Sequence, residues 1–254
     1  DFTYKDLPVL QSGRIKPFDT IARNHLLQFY GKKQVKEIDI DENSNKIEAV
    51  NWLFEILTNP EKELDRKIFN IINPEVSFSL GLVKNDIHKY SFKEIIQGFK
   101  ENQDLLESLK AKDEVSQTLI DKQIIEVYQN ILSYDEITHG VYCFLPLINI
   151  SNSTNHEFMG INEDKPLSYS YFMRNIDKFK VLLQDLLDTD ENKWNASHLE
   201  LSQVAIQLQS MTQFHYAQSL KIIPGDTNIW YSPWEMMDGR PLTKLQHEIL
   251  ELYE

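Results

Sequence analysis

Seven histidines, at positions 25, 88, 139, 156, 198, 215 and 247, are the residues of this chain best suited to hold a metal ion or a haem iron. No two of them form the His-x-His or helical His-x-x-x-His spacing that turns two imidazoles toward one ion. Gln246-His247-Glu248 lacks the second histidine of His-Glu-x-x-His, which excludes a zinc-protease motif. His25 and His215 differ from the others because each shares an otherwise apolar helical stripe. There an imidazole either faces a pocket and contacts a haem, or sits in a core bonded to a backbone carbonyl. The single cysteine, Cys143, lies in the apolar run Val141-Tyr142-Cys143-Phe144-Leu145 and is expected to be a buried, inert thiol. One cysteine excludes an internal disulfide framework and any all-cysteine metal site.

Other chemistry is sparse. Gly-x-Gly-x-x-Gly, the phosphate-cradling Gly-Lys-Ser/Thr loop and the Gly-x-Ser-x-Gly elbow are absent, and 8 glycines in 254 residues leave little backbone for such loops. Carboxylates are abundant enough to meet by chance in any fold, so an acid–base pair of a hydrolase cannot be read from them. Trp230-Tyr231-Ser232-Pro233-Trp234 gathers three aromatic rings in five residues. Such a cluster serves either a surface that meets a partner or membrane interface, or a buried plug.

Lys and Arg total 26 against 39 Asp and Glu, a net charge of -13 that repels a phosphate backbone, so nucleic acid is not an expected partner. Lys5, Arg14, Lys16, Arg23, Lys32, Lys33 and Lys36 form either a local basic patch or an ordinary solvated surface. With 41% hydrophobic and 26% charged residues the chain is globular, and no window of 18 apolar residues could span a bilayer. It opens at Asp1 with neither an initiator methionine nor a signal-peptide pattern, and is expected to be a processed or trimmed piece of a longer protein.

The elements that must position these residues are mostly helical. Residues 3–16, with Ser12-Gly13, read as an extended segment or small hairpin around a glycine turn. Pro17 then opens a helix with Phe18, Ile21, Ala22, His25, Leu26 and Phe29 on one stripe and Gly31 past its end. Residues 38–45 read as a surface loop before a second helix carrying Ile47, Val50, Trp52, Leu53, Phe54 and Leu57, stopped by Asn59-Pro60. A short third helix is expected over 61–72, and the alternation of Val76-Ser77-Phe78-Ser79-Leu80 suits a strand. Ser91 and Glu94 make a capping box for a helix through roughly Leu109. Three long stripes follow, from Ile120 to Tyr134, from Phe172 to Leu186 and from Leu201 to His215, and can pack as a bundle. The polar stretch 151–166 reads as a functional or mobile loop and a possible internal boundary. Asp238-Gly239-Arg240-Pro241 makes a turn before a final helix with Leu242, Leu245, Ile249 and Leu252.

Gly13-Arg14-Ile15-Lys16-Pro17-Phe18-Asp19-Thr20 resembles the Gly-Arg-x-Lys-Pro-x-Asp-Thr opening of an extracytoplasmic domain in bacterial cytochrome c biogenesis proteins of the ResB/CcsA, or system II, type. Tyr90-Ser91-Phe92 and Trp230-Tyr231-Ser232-Pro233-Trp234 are similar to later islands of the same domain, in the same order, for about sixteen matched residues in all. The resemblance implies a membrane protein that moves haem outward and joins it to the two cysteines of apocytochrome c. This domain would be held between transmembrane segments on the periplasmic face of the bacterial inner membrane. The tryptophan-rich haem-handling loop and the membrane histidines of that family are not in this chain, so no catalytic residue is carried over.

The sequence therefore leads to a mostly α, helical bundle-like domain over 1–254 with a short N-terminal extended or hairpin segment. Its expected role is an accessory or docking module of a cytochrome c assembly protein, not an enzyme by itself although the full-length protein is expected to contribute to a cytochrome c haem lyase. Expected partners are apocytochrome c and the haem-handling membrane segments of the same or a partner protein. Neither a metal nor a cofactor is expected in this fragment, with haem reaching it through the full-length protein. Arg14, Lys16, Asp19, Trp230, Tyr231 and Trp234 are the candidate ligand or partner contacts. Arg14 and Lys16 lie beside a helix N-terminus, which favours an anion such as a haem propionate or a partner carboxylate; Asp19 alternatively pairs with Arg14 or Arg23 to fix the hairpin. His25 and His215 are the haem-contact candidates. The alternative function is an extracytoplasmic small-molecule-binding or sensory helical domain.

Overall fold

The computed structural model describes residues 4–38, 44–161, 165–226, 228–239 and 242–253. Among them are thirteen α-helices and four two-stranded antiparallel sheets, a mostly helical architecture. The chain divides into two compact units, Asp1–Thr138 and His139–Glu254.

The first unit opens with strands β1 (Pro8–Gln11) and β2 (Arg14–Pro17), paired in the register Gln11↔Arg14 and Pro8↔Pro17. Helix α1 (Phe18–Tyr30) buries Phe18, Ile21, Ala22, Leu26, Phe29 and Tyr30 and ends where Gly31, at φ 75°, donates its N–H to the Leu27 carbonyl. Strands β3 (Gln34–Ile38) and β4 (Ser44–Glu48) then form a second hairpin. The loop expected over 38–45 is therefore corrected at both flanks, while residues 39–43 lie outside the described residues. Ile47 pairs with Val35 in that hairpin, so helix α2 (Ala49–Thr58) starts after it and buries Val50, Trp52, Leu53, Ile56 and Leu57.

The third helix is shorter than expected: α3 (Pro60–Glu63) gives way to strand β5 (Phe69–Asn70). Residues 76–80 are not a strand. Asn73 caps helix α4 (Pro74–Ser79) by accepting from the Glu75 N–H, and Pro74 suits its first position. Val76 and Leu80, four apart, are buried whereas Phe78 between them is 85% exposed, the burial pattern of a helix. Strand β6 (Lys89–Tyr90) pairs with β5, and the Ser91–Glu94 capping box starts α5 (Phe92–Glu101) as expected. The helix does not run on to Leu109, because the chain breaks at Asn102 before α6 (Gln103–Ala111). Helix α7 (Leu119–Thr138) packs on α2, α4, α5 and α6. Phe29, Phe69, Phe92 and Tyr134 interlock in this core with ring centroids 5.2–5.8 Å apart.

The second unit contains α8 (Ser153–Met159), α9 (Tyr169–Arg174), α10 (Ile176–Asp188), α11 (Ala196–Met211), strands β7 (Ile223–Pro224) and β8 (Trp230–Tyr231), α12 (Pro233–Met236) and α13 (Lys244–Tyr253). The stretch 151–166 falls inside this unit and is helical over α8, with 162–164 outside the described residues. The Phe172–Leu186 stripe is interrupted at Asn175, and the Leu201–His215 stripe leaves α-helical geometry after Met211. Of the three stripes expected to pack as a bundle, α7 belongs to the first unit, whereas α10 and α11 pack on each other in the second. Arg240 and Pro241 of the expected turn lie outside the described residues.

Candidate functional site

The Gly13–Thr20 motif folds as a turn, a strand and the first helical residues. Ser12 and Gly13 both take positive φ, 51° and 73°, which is the backbone of a tight two-residue hairpin turn and explains the glycine. Lys16 reaches across the hairpin and donates from Nζ to Gln11 Oε1 at 3.0 Å, while Arg14 is exposed beside the turn. Pro17 precedes the helix in extended geometry, and the Phe18 N–H donates back to the Leu7 carbonyl at 2.8 Å. Asp19, in the first helical turn, takes Arg23 as its partner at 2.8 Å. Of the two arginines considered for Asp19, the structure pairs it with Arg23, along the helix.

This pair opens onto a cavity of about 530 Å³ whose lining includes Arg23, Lys32, Lys33, Lys36 and Lys46 against only Asp19 and Glu48. Arg23, Lys32, Lys33 and Lys36 belong to the basic stretch seen in the sequence, so four of its seven cations converge on one groove. Glu48 is itself bound by Lys5 at 2.7 Å. The floor is made by Val35 and Ala49, both buried, so the groove has an apolar base and a cationic rim.

A second cavity, of about 710 Å³, lies beside the C-terminal turn of α1 and has six cations in its lining against Glu63 and Asp65. Arg66 is committed to the fold, bonding buried Glu63 and, at 2.9 Å, Glu55. Lys89 is half-buried on β6; its Nζ donates to the Tyr30 carbonyl at 2.6 Å and sits 3.9 Å over the Tyr30 ring. Burial, with Lys32 nearby, pushes the Lys89 ammonium down to about 8. Sequence reading missed Lys46, Lys62 and Lys89: Lys46 and Lys89 are brought there by the β3–β4 and β5–β6 pairings, and Lys62 by α3, none of them a neighbour of α1 in sequence.

His25 is half-buried with its ring 5.7 Å from Phe29, and its Nδ1 is shielded from solvent with no hydrogen-bond partner. Burial pushes its pKa down to about 4, so it is neutral at pH 7. His215, in the second unit, meets Trp234 at 4.9 Å and Tyr169 at 6.1 Å, and its Nε2 is likewise buried and unpartnered. An unpartnered imidazole nitrogen has the chemistry of an iron ligand, but neither histidine lines the two cavities of the first unit. Among the described residues no group of three or more His, Cys, Asp and Glu could hold a metal ion.

The aromatic island divides. Trp230 and Tyr231 are half-buried on β8 opposite Pro224 and Ile223. Gly225 makes room for the Tyr231 ring, since a Cβ there would stand 2.5 Å from Cε2. Trp234 is fully buried in α12, which opens on a Ser232–Glu235 capping box. It serves the second unit as a plug, whereas the structure gives Trp230 and Tyr231 partial access to solvent. Cys143 is buried. The candidate residues are thus distributed as Arg14, Lys16, Asp19 and His25 in the first unit and His215, Trp230, Tyr231 and Trp234 in the second.

Neither the protein-family models nor the curated proteins compared with the chain match it. No helix among the described residues is long and apolar enough to cross a membrane.

Proposed function

We propose that this chain is the outer-side module of a membrane-bound cytochrome c assembly protein, working at the periplasmic face of the bacterial inner membrane. There it docks apocytochrome c and the haem-handling membrane segments of its own or a partner protein. The observation that carries this reading is the basic groove that opens from the Asp19–Arg23 pair of the Gly13–Thr20 motif. An apolar floor with a cationic rim suits the edge of a haem, whose carboxylates would meet Arg23, Lys33 and Lys46 as charge-assisted partners. Outside that groove the net charge of -13 steers a basic apocytochrome toward the module, an effect that salt weakens.

The test is titration of the chain with a basic apocytochrome peptide carrying Cys-x-x-Cys-His, and separately with haem followed at its Soret band. Peptide binding should be strong at low ionic strength and fade toward about 0.5 M salt, where charges more than a few ångströms apart are screened. Lys33→Gln/Lys46→Gln should weaken haem binding, and a His25→Gln/His215→Gln pair decides whether imidazole ligates the iron. Failure of both peptide and haem to bind at low ionic strength overturns the reading.

A second reading, an extracytoplasmic small-molecule-binding or sensory domain, draws support from the neighbouring cavity around Lys89, which shares Lys32, Val35 and Lys36 with the groove and which a docking role does not require.

A further inference from the structure

We propose that the cavity beside the C-terminal turn of α1 binds a phosphate group borne on an organic ligand, held by Lys32, Lys36, Lys62 and Lys89 with Tyr30 and Ile87 alongside. The inference does not rest on the cytochrome reading, although Lys32 and Lys36 line both this cavity and the basic groove, whereas Lys62 and Lys89 line this cavity and not the groove. Of the six cations around this cavity, Arg66 is neutralised by Glu63 and Glu55, and Lys67 pairs with Glu94 at 3.2 Å. The remaining lining carboxylate, Asp65, pairs with Lys93 at 3.3 Å. That leaves Lys32, Lys36, Lys62 and Lys89 facing one space with no carboxylate paired to them among the described residues. Four ammonium groups gathered without counter-charges, on a chain with 13 more acidic than basic residues, are a local excess that an anion relieves.

Lysine chemistry selects the class of anion. An ammonium is a compact point charge without the planar fork by which arginine grips a carboxylate, so several lysines converging favour a ligand with more than one negative charge and oxygens in several directions. A phosphate monoester, carrying close to two charges at neutral pH, meets that requirement better than a single carboxylate. Lys89 is the fixed member of the set, because its Nζ is anchored on the Tyr30 carbonyl and held over the Tyr30 ring. Like-charge pressure from Lys32 contributes to its lowered pKa, which a bound phosphate would restore upward. Tyr30 and Ile87 supply apolar surface for the organic part of the ligand. Ile87 is 59% exposed. The same phosphate chemistry is offered by a soluble phosphorylated compound or by an anionic lipid headgroup.

Phenyl phosphate, which joins a phosphate to an apolar ring, is the soluble probe, and vesicles of phosphatidylglycerol with phosphatidylcholine are the lipid probe. Calorimetric titration at low ionic strength should show saturable phenyl phosphate binding, with benzoate at least about tenfold weaker. Lys32→Gln/Lys62→Gln, which alters exposed side chains and should leave the unfolding midpoint unchanged, should weaken phenyl phosphate by about tenfold or more, whereas Lys33→Gln/Lys46→Gln, in the basic groove, should not. Lys89→Gln should weaken it as well. Vesicle capture that phenyl phosphate reverses identifies the source as a lipid headgroup; phenyl phosphate binding without vesicle capture identifies a soluble ligand. The proposal is overturned if neither probe binds, if benzoate binds as well as phenyl phosphate, or if the folded Lys32→Gln/Lys62→Gln variant binds like the wild type.

Discussion

The Trp234 indole donates from Nε1 to the His139 carbonyl over 2.8 Å, tying α12 to the first residue of the second unit. The same ring is fully buried and meets Tyr169 at 5.4 Å and His215 at 4.9 Å. The carbonyl also accepts from the Tyr142 N–H at 3.1 Å, so Trp234→Phe does not leave it without a donor. That substitution should cost about 1–3 kcal/mol, from one hydrogen bond and a partly emptied site. Trp234→Ala removes the whole ring and should cost about 3–5 kcal/mol. Urea unfolding distinguishes the two; small and equal losses would contradict an anchoring role for the indole.

His25 gives stability a defined pH dependence. Its pKa is about 4 when folded against an ordinary value of 6.5, because burial disfavours the imidazolium. Between those values the unfolded chain binds a proton that the folded chain does not. The contribution is therefore complete above about pH 6.5 and is lost as pH falls toward 4, with an upper bound of about 3 kcal/mol. His25→Gln should flatten the stability profile across that window. An unchanged slope between pH 6.5 and 4 would show that the ring is hydrated in the folded state.

The hairpin motif separates a backbone requirement from a charge requirement. Gly13 stands at φ 73°, where a Cβ is strained, so Gly13→Ala should cost about 1–2 kcal/mol even though nothing lies within 4 Å of the added atom. The Asp19–Arg23 pair is partly exposed and joins neighbours on one helical face, so Asp19→Asn should cost less than about 1 kcal/mol. Thermal unfolding should rank Gly13→Ala as the more damaging. The reverse order would mean that the ion pair, rather than the turn, holds the motif.

Local signals were legible wherever the chain's own neighbours decide the structure. Pro17 and Gly31 bound α1, and Ser91 with Glu94 starts α5, because capping needs only residues a few positions apart. The same local logic, Asn73-Pro74 as a helix start, overrode the alternation of 76–80 that reads as a strand. The β3–β4 hairpin was hidden because its polar strands carry little hydrophobic alternation and depend on the Val35–Ile47 pairing. Within the candidate site, the cationic stretch of residues 23–36 was visible, but its convergence with Lys46 and Lys89 needs the β3–β4 and β5–β6 pairings, which bring distant segments together. The contact of His215 with Trp234 was equally unreadable, since a helical stripe reports which residues share a face and not what that face meets.

Glu200 offers a test of how the polar stretch after Ile150 is ordered. Its Oε1 accepts from the Ser151 N–H at 2.7 Å, the Ser151 hydroxyl at 2.8 Å and the Asn152 N–H at 2.9 Å, while Oε2 accepts from Asn155 Nδ2 at 2.9 Å. Burial works to raise its pKa, but these donors hold the carboxyl below the usual 4.5. The stabilisation is therefore present above about pH 4.5 and is lost as acid protonates the group. Glu200→Gln keeps one acceptor for Ser151 and Asn152 but turns an amide NH₂ toward Asn155, which is fully buried and already donates. The expected cost is about 1–3 kcal/mol, located at the entry to α8. The protection factors of the Ser151 and Asn152 amides, taken against intrinsic exchange at the same pH, should fall in Glu200→Gln at neutral pH, and in the wild type only on acidification. If both amides keep wild-type protection in the variant, the carboxylate is a passenger and the Asn152 cap alone orders the segment.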